Sequence, residues 1–440
     1  MFAGKKSAQI REILISESAW EEMTCLFAPS LVVGAGARGE IYARYALEHP
    51  DRMQVVGVAE PREAYRQQFV AQHMIAPNNV FCDWQEAAAQ PKMADVVLIC
   101  TQDNMHKDPA VAFANLGYHI LLEKPLAPTP EDCRIIIDAV KRNNVLLAVA
   151  HVLRYTRYTQ KLKSLLDDGV IGDIVSMQHL EPVGYWHQAH SFVRGNWRNE
   201  AESSFMLLQK SCHDLDWIRY IMGDNCKDVG SFGSLSHFVK ENQPAGAADR
   251  CLDCQVEATC PWSACKIYLG ENHKCTPHFR RVLTADPSEE NVRQALSDGP
   301  YGRCVYRCDN DVVDHQVVNL RFAHQQTVTF TMTAFTKMED RKTRLFGTRG
   351  YLEGDGEQIR VFDFLTDKET VHQIEEIAAG TQTQMGGHGG GDYYLMDRFI
   401  HAVMANDQNM ILSGPDESLE SHLMVFAAER ARKENSLVTL

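Results

Sequence analysis

The sequence predicts an α/β fold in two parts. A parallel sheet flanked by helices should occupy residues 28–150, and a second α/β unit with a large, mostly antiparallel open sheet should follow over 151–440. Three observations carry this. Short apolar runs alternate with helical patterns from residue 30 onward, the rhythm of βαβ units. A glycine-rich loop separates the first run from the first helical pattern. After residue 150 the runs lengthen and become rich in β-branched and aromatic residues, as antiparallel strands do.

In order, the first part reads as strands over 30–33, 53–59, 96–100, 119–122 and 146–150. Helices are expected over 40–48, 110–116 and 131–142, the last opened by Thr129-Pro130. In the second part a helix over 158–167 ends at Gly169, and strands are expected over 174–180, 313–322 and 326–335. Residues 240–310 are polar and cysteine-rich and read as a loop-like insertion. A glycine cluster at 386–391 precedes a helix near Tyr393, and a last helix is expected over 416–434. Residues 1–27 read as an N-terminal extension.

A chain of 440 residues with 45% hydrophobic residues has ample material for two cores. Its formal net charge of −14 repels a phosphate backbone and argues against a nucleic-acid partner. No apolar run reaches the roughly 20 residues a membrane helix needs, and no signal peptide is evident, so a cytoplasmic location is expected.

Gly34-Ala35-Gly36-Ala37-Arg38-Gly39 fits the G-x-G-x-x-G loop of a dinucleotide-binding Rossmann domain. Gly34 suits the tight turn, Gly36 lets a pyrophosphate approach the backbone, and Gly39 allows close helix–strand packing. Glu60, about 20 residues on, stands where a carboxylate can accept from the adenosine ribose, which favours NAD over NADP. Arg38 offers positive charge that weakens this preference.

Further motifs resemble the Gfo/Idh/MocA oxidoreductase family. Cys100-Thr101-Gln102-Asp103-Asn104-Met105-His106 is similar to its strand-end stretch, and Glu123-Lys124-Pro125 to its Glu-Lys-Pro signature. The resemblance implies NAD contacts from Thr101, Asn104, His106, Glu123 and Lys124. It places Lys124 beside nicotinamide and substrate, where it would polarise or help deprotonate a hydroxyl. The plain alternative is a surface lysine in a tight turn. Gln209-Lys210-Ser211-Cys212-His213-Asp214-Leu215-Asp216 resembles the family's His-x-x-Asp helix. By that resemblance His213 transfers the proton and Asp216 orients it or meets substrate, although Gln209 stands where many members carry Asp. An imidazole suits proton removal coupled to hydride loss. A satisfied core histidine is the alternative.

His151, Arg154, Tyr185, Lys210 and His388 are the remaining candidate substrate contacts. His388 sits in Gly386-Gly387-His388-Gly389-Gly390-Gly391, which resembles a segment of members acting on sugars and glycosides, or else is a flexible linker. The family's sheet also implies a homodimer or homotetramer formed through the C-terminal domain.

Within the insertion, Cys251-x2-Cys254-x5-Cys260 has the spacing of a structural zinc site, with His237 or Cys265 as the fourth ligand. The first three cysteines resemble a family subgroup with the same insertion. An iron–sulfur cluster or free thiols are also compatible. The function expected is NAD-dependent oxidation of a hydroxyl on a small-molecule carbohydrate. The alternative is an NAD-dependent glycosidase working by transient oxidation and elimination.

Overall fold

The computed structural model describes residues 27–271 and 273–440, so the expected extension lies almost wholly outside them. Six strands build the first sheet: β1 (Ala28–Val33), β2 (Met53–Ala59), β3 (Val80–Phe81), β4 (Val96–Ile99), β5 (His119–Leu122) and β6 (Leu147–Val149). All pair in parallel in the order β3-β2-β1-β4-β5-β6. The order reverses between β1 and β4, which opens a crevice beyond the strands' carboxyl ends. β1 and β4 are apolar on both faces because helices cover both, so they read as continuous runs. The two-residue β3 and the helix Glu63–His73 escaped the sequence reading. That helix buries only Phe69 and His73, leaving little periodic signal.

Nine strands build the second sheet: β7 (Ile174–Pro182), β8 (Cys226–Ser234), β9 (His315–Phe322), β10 (Thr327–Thr333), β11 (Lys342–Gly347), β12 (Gly350–Gly354), β13 (Gln358–Asp363), β14 (Lys368–Gln373) and β15 (Val438–Thr439). Their order is β14-β13-β12-β11-β7-β10-β9-β8-β15. Every pair is antiparallel except β7 with β10 at the centre, so the sheet is mostly antiparallel, as expected. One face carries the buried alternation of β9 and β10 and is covered by the helices Met206–Met222 and Pro415–Glu434.

The insertion is not loop-like throughout. It holds helices Ala264–Tyr268, Pro277–Leu283 and Glu289–Asp298 around its own apolar cluster, with Phe238, Trp262, Tyr268, Tyr301 and Tyr306 buried. Polar composition hid this core, because a few large rings do the work of many aliphatic residues. The boundary at residue 150 is not a packing boundary either. The helix Gly391–Ala405 puts Leu395, Met396, Phe399 and Ile400 into the cluster that also holds Val32, Tyr42 and Leu98 of the first unit.

Candidate active site

The glycine loop leaves β1 and enters the helix Ala37–Glu48. Gly34 takes φ +93°, and a Cβ there would stand 2.6 Å from the Cys100 carbonyl oxygen. A Cβ on Gly39 would come within 2.1 Å of the Gly34 carbonyl oxygen. Only glycine permits this close strand–loop–helix contact, which leaves a backbone cradle at the helix start fitted to a pyrophosphate.

Arg38 does not turn to that cradle. Its Nε donates to Glu123 at 2.6 Å and its Nη2 to Asp392 at 2.6 Å and to the Tyr42 hydroxyl at 2.5 Å. Glu123 also accepts from Tyr42 Oη at 2.7 Å and from the Lys124 amide at 2.9 Å. Arg38 and Glu123, expected to meet cofactor, therefore brace the Lys124 segment from within. His106 faces the carbonyl oxygens of Pro125 at 2.7 Å and Thr101 at 3.2 Å. It is fully buried and pins the same segment rather than reaching the cofactor. Thr101 donates to the Met105 carbonyl, and Asn104 is exposed at the rim.

Lys124 crosses the crevice and donates from Nζ to the Gln209 carbonyl at 2.8 Å. Gln209 is one turn before His213 on the helix Met206–Met222, so the lysine is brought to the histidine's face. His213 is buried, and its Nδ1 has no hydrogen-bond partner among the described residues. Burial, then the Lys124 ammonium, the neighbouring His388 and His151 rings and Arg341, hold its imidazole well below the usual histidine range. It is neutral at neutral pH and able to accept a proton. The His151 and His388 rings each lie 6.0 Å from it, centroid to centroid.

Asp216 was expected to orient the histidine or meet substrate. Instead it is fully buried and grips Arg154, which donates from Nε at 2.6 Å and Nη2 at 2.7 Å. Arg154 is 1% exposed and also donates to the Leu412 carbonyl at 2.5 Å, so it is unavailable to a substrate. The pair ties the segment after β6 to the helix Met206–Met222. His151 is buried with neither ring nitrogen hydrogen-bonded, and desolvation lowers its pKa to about 3.

His388 takes φ +52° in the glycine cluster, and its Nδ1 lies 3.1 Å from Asp392 Oδ2. Burial would raise the Asp392 carboxyl, but Arg38 and His388 hold it far below the usual carboxylate range. Lys210 pairs with Glu181 at 3.0 Å, and Arg341 binds both Glu181 at 2.7 Å and Asp214 at 2.9 Å. The sequence reading gave no role to Arg341, Glu181 and Asp214, and noted Asp392 only as the acid that closes the glycine stretch. Arg341 and Glu181 carry no motif, so only the fold brings them to the others. Tyr185 was expected at substrate, but it packs edge-on against Trp262 of the insertion at 5.7 Å.

The expected metal centre is not formed. Among the described residues no three or more His, Cys, Asp or Glu side chains stand where they could hold a metal ion. His237 Nε2 is 3.2 Å from the Tyr306 hydroxyl, and its ring packs against Trp262. Cys265 Sγ points to the Cys251 carbonyl oxygen at 3.8 Å. Cys251 Sγ instead accepts from Arg194 Nη2 at 3.4 Å, and Cys254 and Cys260 line the same small cavity. Half-site spacing alone does not bring donors to one point.

Two family models match the chain: an oxidoreductase family NAD-binding Rossmann fold over residues 30–151, and the same family's C-terminal α/β domain over 163–440. The chain belongs to the Gfo/Idh/MocA oxidoreductase family. Among its relatives is a putative oxidoreductase, YteT, of Bacillus subtilis, 23% identical over 69% of this chain and 71% of that one. A 2,7-anhydro-N-acetylneuraminate hydratase of Escherichia coli is 28% identical over 47% of this chain and 53% of its own length. A levoglucosan dehydrogenase of Pseudarthrobacter phenanthrenivorans is 31% identical over 33% and 37% respectively. Among solved structures, a levoglucosan dehydrogenase in complex with NADH and levoglucosan superposes with TM-score 0.68 at 18% identity, over 94% of this chain and 99% of that one. An aldose–aldose oxidoreductase from Caulobacter crescentus gives TM-score 0.66 at 16% identity, over 94% and 99%. These structures share the fold. No helix among the described residues is long and apolar enough to cross a membrane.

Proposed function

We propose that this Gfo/Idh/MocA chain is an NAD-dependent dehydrogenase acting on a hydroxyl of a sugar or sugar derivative. The observation that carries the reading is His213: a buried imidazole, held neutral, with an unpartnered Nδ1, on the same helical face as the carbonyl that receives Lys124. Bound NAD supplies the hydride acceptor. The chain's residues do the rest. The glycine cradle and the helix start hold the pyrophosphate. Lys124 donates a hydrogen bond to the reacting hydroxyl oxygen and stabilises the charge that develops there. His213 takes the hydroxyl proton as the C–H bond is broken. Arg341 and His388 line one cavity and orient the ring's other hydroxyls, and Lys210 stands beside Arg341 through their shared partner Glu181. The relatives that act on levoglucosan and inositol support a carbohydrate substrate.

A panel of sugars, anhydrosugars, cyclitols and aryl glycosides incubated with NAD tests the reading. Net NADH should appear with at least one of them, and Lys124→Ala and His213→Ala should each lower kcat by about 100-fold or more. The acid limb of the kcat/KM profile should lie below pH 6.5, the ordinary histidine value, because the base is neutral down to its depressed pKa. Loss of activity on crossing pH 7 downward would count against His213 as the base.

A second reading has one observation in its favour. His388 stands beside His213, which places two imidazoles side by side. That arrangement suits transient oxidation followed by elimination of a glycosidic group. Glycoside cleavage without net NADH would select it over the first reading.

A further inference from the structure

Beside His388 a cavity opens between the segment after β6, the strands β7 and β11, and the stretch that leads into the glycine cluster. It encloses about 620 Å³, its open mouth included, which is the size of a small-ligand site. The His388 ring at its edge lies 6.0 Å from the ring of His213, centroid to centroid. Lys124 and His213 do not line it, so the cavity is a space next to the reacting centre. The proposed hydride transfer calls only on its His388–Arg341 edge.

The polar groups of the inner wall are already paired with one another. Trp217 Nε1 donates to Thr159 Oγ1 at 2.9 Å, and Thr156 Oγ1 donates to the same oxygen at 2.9 Å. His179 Nδ1 lies 2.8 Å from Thr343 Oγ1, and its Nε2 lies 3.3 Å from Asp214 Oδ1. The His179 and Trp217 rings stack at 4.8 Å with 19° between their planes. With Tyr158, Leu153 and Ile374 they leave a wall of rings and aliphatic carbon. Such a wall gains most from covering a flat apolar group. Charge stands at the rim, where Asp340 and Glu376 are exposed. The Arg341 guanidinium is already met by Glu181 and Asp214. A rim with two carboxylates disfavours a phosphorylated or carboxylated occupant.

We infer that this cavity seats an uncharged aromatic group carried by the substrate, so that the ring reacting at Lys124 and His213 belongs to an aryl glycoside. This rests on the proposed sugar oxidation for the place of the reacting ring, and binding is read so that the two can fail apart.

The full chain loaded with NADH is titrated by calorimetry with methyl and 4-nitrophenyl glycosides of glucose, galactose and xylose, in both anomeric forms. For at least one of them the aryl form should bind about tenfold or more tighter than the methyl form, as burial of one ring allows. Ile374→Trp fills the cavity and should cut that advantage to about threefold or less, while the methyl glycoside stays within about threefold of its Kd. Leu153→Phe, on another wall, should do the same, and an unchanged NADH Kd shows that each variant is folded. Equal affinity of methyl and aryl forms for every sugar, or no measurable binding of any aryl form, overturns the inference. So does an aryl preference that both variants leave intact, or Ile374→Trp weakening both forms alike, which would make the cavity part of the reacting ring's own site. An aryl preference in binding with no net NADH from any of these glycosides would keep the occupant of the cavity and count against the dehydrogenase reading alone.

Discussion

Arg38 holds two carboxylates that come from different ends of the chain, Glu123 beside Lys124 and Asp392 beside the glycine cluster. One side chain of the cofactor loop thus fixes Lys124 and His388 together. Asp392 acts on the pocket through His388, so its effect should vanish when that histidine is absent. His388→Ala and Asp392→Asn are each expected to lower kcat by about 10- to 100-fold, and the double variant should be no slower than His388→Ala alone. Multiplicative losses in the double variant would show that Asp392 serves the fold rather than His388. The sequence exposed Lys124, His213 and His388 through their neighbours in the chain. It gave no sign that Arg38 turns inward, because a loop motif fixes backbone shape and leaves side-chain direction to whatever carboxylate the fold brings near.

Among elements, the helix Met206–Met222 is held by three polar ties. Its Asp216 is tied to Arg154, its Asp214 to Arg341, and its Gln209 carbonyl to Lys124. The Arg154–Asp216 pair is sealed from solvent, so removing one partner strands a buried charge. Arg154→Met should cost about 3–5 kcal/mol of stability in urea denaturation, and Arg154→Met/Asp216→Leu distinctly less. Equal losses in the single and double variants would mean that packing, not charge, is what Arg154 provides. From the sequence both residues read as site residues, since a polar side chain after a strand or on a motif helix looks the same whether it meets substrate or a partner. Burial made the difference. The cysteine spacing erred for a related reason: C-x2-C brings two thiols near each other, but the chain between Cys260 and the remaining donors decides whether four converge, and here it does not.

In the whole molecule the first unit is completed by the last part of the chain. Tyr393, Met396, Phe399 and Ile400 fill the cluster under β1 and β4, and the edge strand β6 is closed by a returning segment. There the Val149 amide donates to the Ser413 carbonyl at 3.0 Å, and Gln408 accepts from the Leu147 amide at 3.0 Å. A fragment of residues 27–152 should therefore lack a cooperative thermal transition and should bind a hydrophobic dye, since each large side chain it misses contributes about 1.5–3 kcal/mol when buried. A sharp two-state melt of that fragment would refute this dependence. By itself the sequence determined five of the six parallel strands, the glycine loop and the order of the motifs that carry Lys124, His213 and His388. Each of these is written within a few residues, in periodicity, glycine spacing or adjacent polar groups. Only the tertiary structure decided which polar groups face the pocket and which face one another, how the last helices finish the first sheet, and that Glu60 is paired with Arg62. Those outcomes rest on contacts between residues up to 354 positions apart, as Arg38 and Asp392 are, where nothing local in the chain records the distance.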